Sequence, residues 1–503
     1  MSWEGRLAWL LRAWRRHQPD SPFQDPAVFA RALGAHGCDA TAEQVLAWES
    51  GLADPPYSAW LGYERALGLR LCALASSREY LRVFLPAGSL PRLTGPCQPV
   101  TDPSAPHVGH DRERLLDAAV GGDCTPIQWV ALSGHLRADP GWGIDPGDAE
   151  AMADEIVSQL ARGVDVGYRL LSVAAANIAS VPAMHGPMVD SIRSYLGDPD
   201  VQVVYDPLGL LDQISSKEAA DLILDLFERA PNRAMYLHAV WLATQMMVRS
   251  NFDDRQRARL SVLVLARWRA DPEKAPQDLA QLIAVLPAGF REAFSRAAAQ
   301  GGNTDFGYVL EHGEDMSAAA AERMASRIVS RVHRLHPGGV EADRADLESL
   351  VREGLFHRES ERRHLAAVVL SASPFCHDTG EAALDLLSDR DTVPLARGRM
   401  ATLCSYLAGG EHRLRLAPFV GDPDETVAAA ITLTFGHIDF AATSDQLLRH
   451  TIPTYAGSLG RSHMYALGMT ASPGLSAIAA SSAAPDWQRR AARWWLRVGP
   501  AIR

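Results

Sequence analysis

The chain has 503 residues, 47% of them hydrophobic and 22% charged, with a formal net charge of −11. That length exceeds one ordinary core and predicts two or more domains or an elongated repeat array, while the acidic balance excludes a protein that coats nucleic acid indiscriminately and leaves room for a small DNA-reading surface. The six cysteines, Cys38, Cys72, Cys97, Cys124, Cys376 and Cys404, form no C-x-x-C pair, which excludes a disulfide framework or a cysteine zinc site, and no apolar run is long enough to span a bilayer.

Trp3 to His17 reads as an amphipathic helix, with Trp3, Leu7, Leu10, Leu11 and Trp14 on one face and Arg12, Arg15 and Arg16 mostly on another. No cleavage site follows it, so no signal peptide is expected and the expected location is the cytoplasm. A second helix is predicted from Asp25-Pro26, a good N-cap followed by a good first residue, through Phe29, Ala30 and Leu33 to about Gly34. After a tight connection, Thr41-Ala42-Glu43-Gln44 fits a Thr-x-x-Gln capping box and opens a third helix. Val45 and Trp48 share its inner face, and Gly51 is its natural stop. Asp54-Pro55 is expected to cap a fourth helix through Trp60, Tyr63 and Leu67, ended by Gly68.

Six prolines between Pro86 and Asp111 break any helical period, so this stretch reads as a linker. The expected organisation is a module at residues 1–85, a linker at 86–111, and a helical body at 112–503 that forms one array or two subdomains. In the body, apolar residues recur at three- and four-residue spacing and strand signals are scarce. Helix-like cores at Ala366–Ala372, Met400–Tyr406, Ala429–Phe435, Met464–Met469 and Arg493–Arg497 repeat about every 30–34 residues, the size of a two-helix unit. Asp198-Pro199, Asp271-Pro272 and Asp422-Pro423 are expected to start helices. The fold class expected is all-α: a helix-turn-helix domain followed by an α-solenoid-like repeat body, loosely resembling HEAT repeats.

The stretch from Val28 to Leu69 resembles the phage-repressor type helix-turn-helix family, also called Cro/C1 or XRE. The landmarks are Phe29-Ala30, Trp48-Glu49-Ser50-Gly51, Pro55-Pro56, and Tyr63-Glu64 to Leu67-Gly68. The resemblance describes the module, not the body. It implies a bacterial sequence-specific transcriptional regulator, acting as a homodimer, whose helix from Thr41 enters the major groove. Ala42, Glu43, Gln44 and Ala47 would then face base edges, with Thr41 and Ser50 near phosphates. That helix carries Glu43 and Glu49 and no Arg or Lys, so Arg12, Arg15, Arg16 and Arg31 are the nearest cationic candidates, and Arg16 and Arg31 join the expected interface. The body would bind a peptide, small-molecule or protein effector, or pair two subunits. The alternative from another class is an interaction scaffold whose module docks protein rather than DNA.

No nucleotide-binding, metalloprotease or hydrolase signature is present. No enzyme activity, cofactor, metal or membrane association is expected. His333 and His336 lack a third ligand, and His357, His364 and His377 read as polar faces of repeat helices, as do Arg358, Arg362 and Arg363. Trp487, Trp494 and Trp495, interleaved with arginines, read either as a final amphipathic helix packed by its indoles or as a basic-aromatic patch for a partner.

Overall fold

A computed structural model describes residues 2–17, 22–85, 112–230, 233–270, 275–300, 316–335, 340–357, 359–389, 391–438 and 457–503. The expected linker at 86–111 lies outside them, as do Cys97, His336, Arg358 and the Asp271-Pro272 step. Among the described residues the regular structure is entirely helical, with no strand, and the fold is all-α. No helix among them is long and apolar enough to cross a membrane. The chain divides into two compact units: Met1–Gln98 with Val164–Arg169 and Met316–Arg503, and Pro99–Gly163 with Leu170–Asp315. Residues 1–85 thus share one unit with the C-terminal helices.

The first unit begins with α1 (Trp3–Arg16), α2 (Pro26–Ala35), α3 (Ala42–Glu49), α4 (Tyr57–Ala66) and α5 (Ala75–Phe84). Several ends follow from local chemistry. Asp25 caps α2 by accepting the Ala27 amide at 2.8 Å, with Pro26 in the first turn. Gly51 and Gly68 take φ of +72° and +65° just beyond α3 and α4, a left-handed turn that costs glycine little. Other expected caps are corrected. The N-cap of α4 is Pro56, with no side-chain bond; Asp54 faces Arg78 Nη2 at 3.4 Å instead. Asp198 ends the helix His185–Gly197 rather than opening one, and Asp424, not Asp422, caps Glu425–His437. An Asp that finds a cation or an earlier turn has no free oxygen for the predicted amide.

The arginines of α1 do not share one environment: Arg16 is exposed and Arg12 half-buried. Arg6 and Arg15 are buried there along with Trp3, Leu7, Trp9, Leu10 and Leu11. The helix packs on Ser360–Ser371, and its polar groups find partners on Arg344–Phe356, on the turn just before that helix and just beyond Ser360–Ser371. Arg6 pairs with Glu353. Arg12 meets Asp346 at 2.8 Å and Asp343 at 3.2 Å. His17 Nε2 is 2.9 Å from Asp343 Oδ2, and Trp14 Nε1 donates to the Ala372 carbonyl at 2.6 Å. Burial alone would push the Asp343 carboxyl pKa up; His17 and Arg12 outweigh it and hold it below the usual range. Glu353 follows the same pattern, with Arg6 and Arg362 as the compensating charges.

The turn into α5 rests on one carboxylate. Glu64 is fully buried and accepts the amides of Cys72, Leu74 and Ala75 at 2.7, 2.7 and 2.8 Å. Burial pushes its pKa up to about 7 against those three bonds. Cys72 sits beside it at φ +65°.

The repeat-like cores fall in Ser360–Ser371, Pro394–Leu407, Glu425–His437, Gly457–Met469 and Asp486–Val498, and each of these helices packs on the next in that series. The indoles of Trp494 and Trp495 are buried. Any side chain at Gly468 would collide with Trp495, its Cβ standing 1.9 Å from the ring, so the last helix closes down directly on backbone. His364 is half-buried rather than on a solvated outer face, held between the Tyr80 and Tyr406 hydroxyls at 2.7 and 2.8 Å. Desolvation pulls its pKa down to about 4. Arg362 joins Glu353 at 3.0 Å, so that arginine is also not simply solvated.

The second unit is helical throughout its described residues. Trp129 on Pro126–Ala138 is buried and donates from Nε1 to Gln159 at 3.0 Å. Asn177 joins Arg137 and Ser133 at 2.8 and 3.3 Å, which satisfies the polar groups of the helices they stand on.

Candidate nucleic-acid interface

The start of α3 is fixed by its own first turn. The Gln44 amide donates to Thr41 Oγ1 at 3.2 Å, and the Thr41 amide donates to Gln44 Oε1 at 2.8 Å. The capping box is therefore closed in both directions. The Thr41 hydroxyl donates in turn to Glu43 Oε2 at 3.1 Å. At the other end Ser50 donates its hydroxyl to the Leu46 carbonyl at 2.7 Å.

Beneath α3, Val45, Trp48 and Glu49 are buried. Glu49 receives Arg15 Nε on Oε1 at 2.6 Å and Arg15 Nη2 on Oε2 at 2.7 Å, a two-point pair inside the unit. The Tyr63 hydroxyl donates to Oε1 as well, at 3.0 Å. Burial and the Glu49 charge push the Tyr63 pKa well above its ordinary value. The remaining Arg15 nitrogen donates to the carbonyls of Phe23 and Gln24 at 2.9 and 2.8 Å. One arginine from α1 thus fixes both the end of α3 and the approach to α2.

The outer face carries the residues named from sequence. Thr41, Glu43, Gln44 and Ser50 are exposed, and Ala42 and Ala47 are half-buried. Leu46 and Leu52 stand out beside them at 47% and 76% exposure, which makes the surface partly apolar. An open groove of about 380 Å³ runs between α2 and α3, lined by Ala27, Ala30, Arg31, Gly34 and Asp39 to Ala42. The cations separate into two sets. Arg12 and Arg15 are committed to carboxylates inside the unit. Arg16 and Arg31 are exposed and form no ion pair among the described residues.

A second cluster was not singled out from sequence. His377, Glu381 and His412 bring one nitrogen or oxygen each within 4.8 Å of one another. His377 and Glu381 stand one turn apart on Cys376–Ser388, a spacing visible in the sequence. His412 comes from the 3-10 turn Gly410–His412, and nothing local announces it. Desolvation lowers the His412 pKa.

No protein-family model and no curated protein matches this chain.

Proposed function

We propose that the protein is a sequence-specific DNA-binding transcriptional regulator, with α2 and α3 as the reading pair and the helical body as the part that pairs subunits or takes an effector. The observation that carries this is the face of α3. Its start is capped, its underside is anchored by Glu49 to Arg15 and Tyr63, and its outer side offers Thr41, Glu43, Gln44 and Ser50 to a partner. A helix held this rigidly spends little further entropy on docking. The family resemblance supplies the direction, and the serial packing of the C-terminal helices supports a HEAT-like array.

The capping box narrows what α3 can read. Gln44 Oε1 already accepts the Thr41 amide, so a two-point pairing with adenine needs its second lone pair at a geometry the box permits. Its Nε2 remains a donor, suited to purine N7, guanine O6 or thymine O4. Glu43 can accept from cytosine N4. One reading helix covers too few bases for a rare site, so two subunits on half-sites about one helical turn apart are proposed.

The exposure of Leu46 and Leu52 beside Glu43 favours a second reading, in which the same face docks a protein. Selection from random duplex DNA with the full chain separates the two. The regulator reading expects an enriched two-fold motif. Gln44→Ala and Glu43→Ala should then shift preference at single base pairs by about 1–3 kcal/mol, and Arg31→Ala should weaken all sequences and lower the salt slope by about 1. No enrichment at moderate salt overturns it and leaves the protein-docking reading.

A further inference from the structure

The cluster on Cys376–Ser388 is built as more than a set of neighbouring charges. His412 has no exposed surface, and its Nε2 makes no hydrogen bond among the described residues. That nitrogen lies 3.4 Å from Glu381 Oε1, while Glu381 Oε2 is taken by Arg415. Gly380 makes room for the ring, since a Cβ there would stand 3.3 Å from both Nε2 and the Leu407 carbonyl.

The opposite sides of both imidazoles meet one carboxylate. Glu411 Oε1 is 3.2 Å from His377 Nδ1 and 3.3 Å from His412 Nδ1. The Gly409 amide also reaches His412 Nδ1, at 3.0 Å. Two tautomers of His412 follow. With Nδ1 accepting from Gly409, the proton sits on Nε2 and points towards Glu381. With Nδ1–H given to Glu411 in place of the Gly409 bond, the Nε2 lone pair points at a carboxylate oxygen, an arrangement that calls for a cation between them.

We propose that His377, Glu381 and His412 form a binding site for a divalent metal ion of the zinc class, with Glu411 as the outer carboxylate that orients both rings. Two borderline imidazole nitrogens and one carboxylate oxygen make a donor set of the type zinc takes. Three protein ligands leave a position open for water or for a ligand atom. The Arg415 partner on Oε2 keeps Glu381 to a single donor oxygen. His377, half-exposed at its side chain, gives the ion a way in.

The test is titration of the full chain with Co2+ and then Zn2+. Stoichiometric Co2+ should give the visible ligand-field bands of a four- or five-coordinate site, and Zn2+ should bleach them. His377→Ala, at an exposed position that leaves the fold intact by far-ultraviolet dichroism, should abolish the bands, and so should Glu381→Gln. Glu411→Gln should weaken zinc about 10- to 100-fold, whereas His36→Ala, an exposed histidine beyond the end of α2, should change nothing. Bands that survive in His377→Ala, or the absence of stoichiometric Co2+ binding by the unaltered chain, overturn the proposal.

Discussion

Glu64 shows how much one side chain decides locally. It satisfies three amides, of Cys72, Leu74 and Ala75, in the turn into α5, and it does so without exposure to water. The unfolded carboxyl titrates at 4.5 and the folded one at about 7, so folding takes up a proton between those values. Its contribution is therefore complete below pH ~4.5, declines as pH rises, and is gone above about 7. The span corresponds to roughly 3 kcal/mol. Denaturant melts from pH 4.5 to 8 should show this downward slope, and Glu64→Gln should flatten it. Gln also turns an amide group towards one of the three N–H donors, so it should cost about 1–3 kcal/mol in the acid range as well. A slope identical in both proteins removes Glu64 as its source. Residue-level chemistry was legible in sequence where it is short-range: Asp25 and Thr41 cap as read because the amides they serve lie two or three residues on. Asp54 and Asp422 mislead because Arg78 and Arg397 reach them first, and no pattern in a single sequence announces such a pairing.

At the level of elements, α1 was legible as a helix with Trp3, Leu7, Leu10 and Leu11 on its buried face. What was not legible is where Arg6 and Arg12 lead. Their partners, Asp343, Asp346 and Glu353, lie more than three hundred positions away, beyond the reach of any local pattern. The same limit hid His412, whereas His377 and Glu381 were in plain view at helical spacing. On α3 the capping box and the inward Val45 and Trp48 were legible because they sit within one short segment, whereas the exposed Leu46 and Leu52 were not singled out. The pairing of α1 with α3 through Arg15 and Glu49 carries a direct expectation. Arg15→Met leaves Glu49 buried without its cation and should cost about 3–5 kcal/mol. The double replacement Arg15→Met with Glu49→Leu removes both charges and should be milder than either single change, as measured in a thermodynamic cycle of unfolding. Strictly additive losses would mean the two side chains act independently.

Across the whole molecule, the all-α class was legible from period and composition. The sequence drew a boundary at the proline-rich stretch, yet the residues before it share one compact unit with Met316–Arg503. Contiguity in space here departs from contiguity in the chain. A protease site inserted between residues 86 and 111 and cut after folding should leave both fragments in one peak on size exclusion at moderate salt. They are joined by the buried pairs of Arg6 and His17 and by Trp9 against Phe375, with ring centroids 6.1 Å apart. Separation of the fragments would show that these bonds do not hold the unit together.

The span between Arg6 and Glu353 also sets a schedule. The two are 347 positions apart, and a ribosome adding about 5–20 residues per second needs roughly 20–70 s to join them. Arg15 and Glu49, 34 positions apart, can meet within seconds of synthesis. For most of its birth, then, the first helix holds one partner and waits for the others, with its tryptophans uncovered. The nascent chain is most vulnerable to aggregation through its oldest segment, and anything that slows translation past residue 316 prolongs that interval.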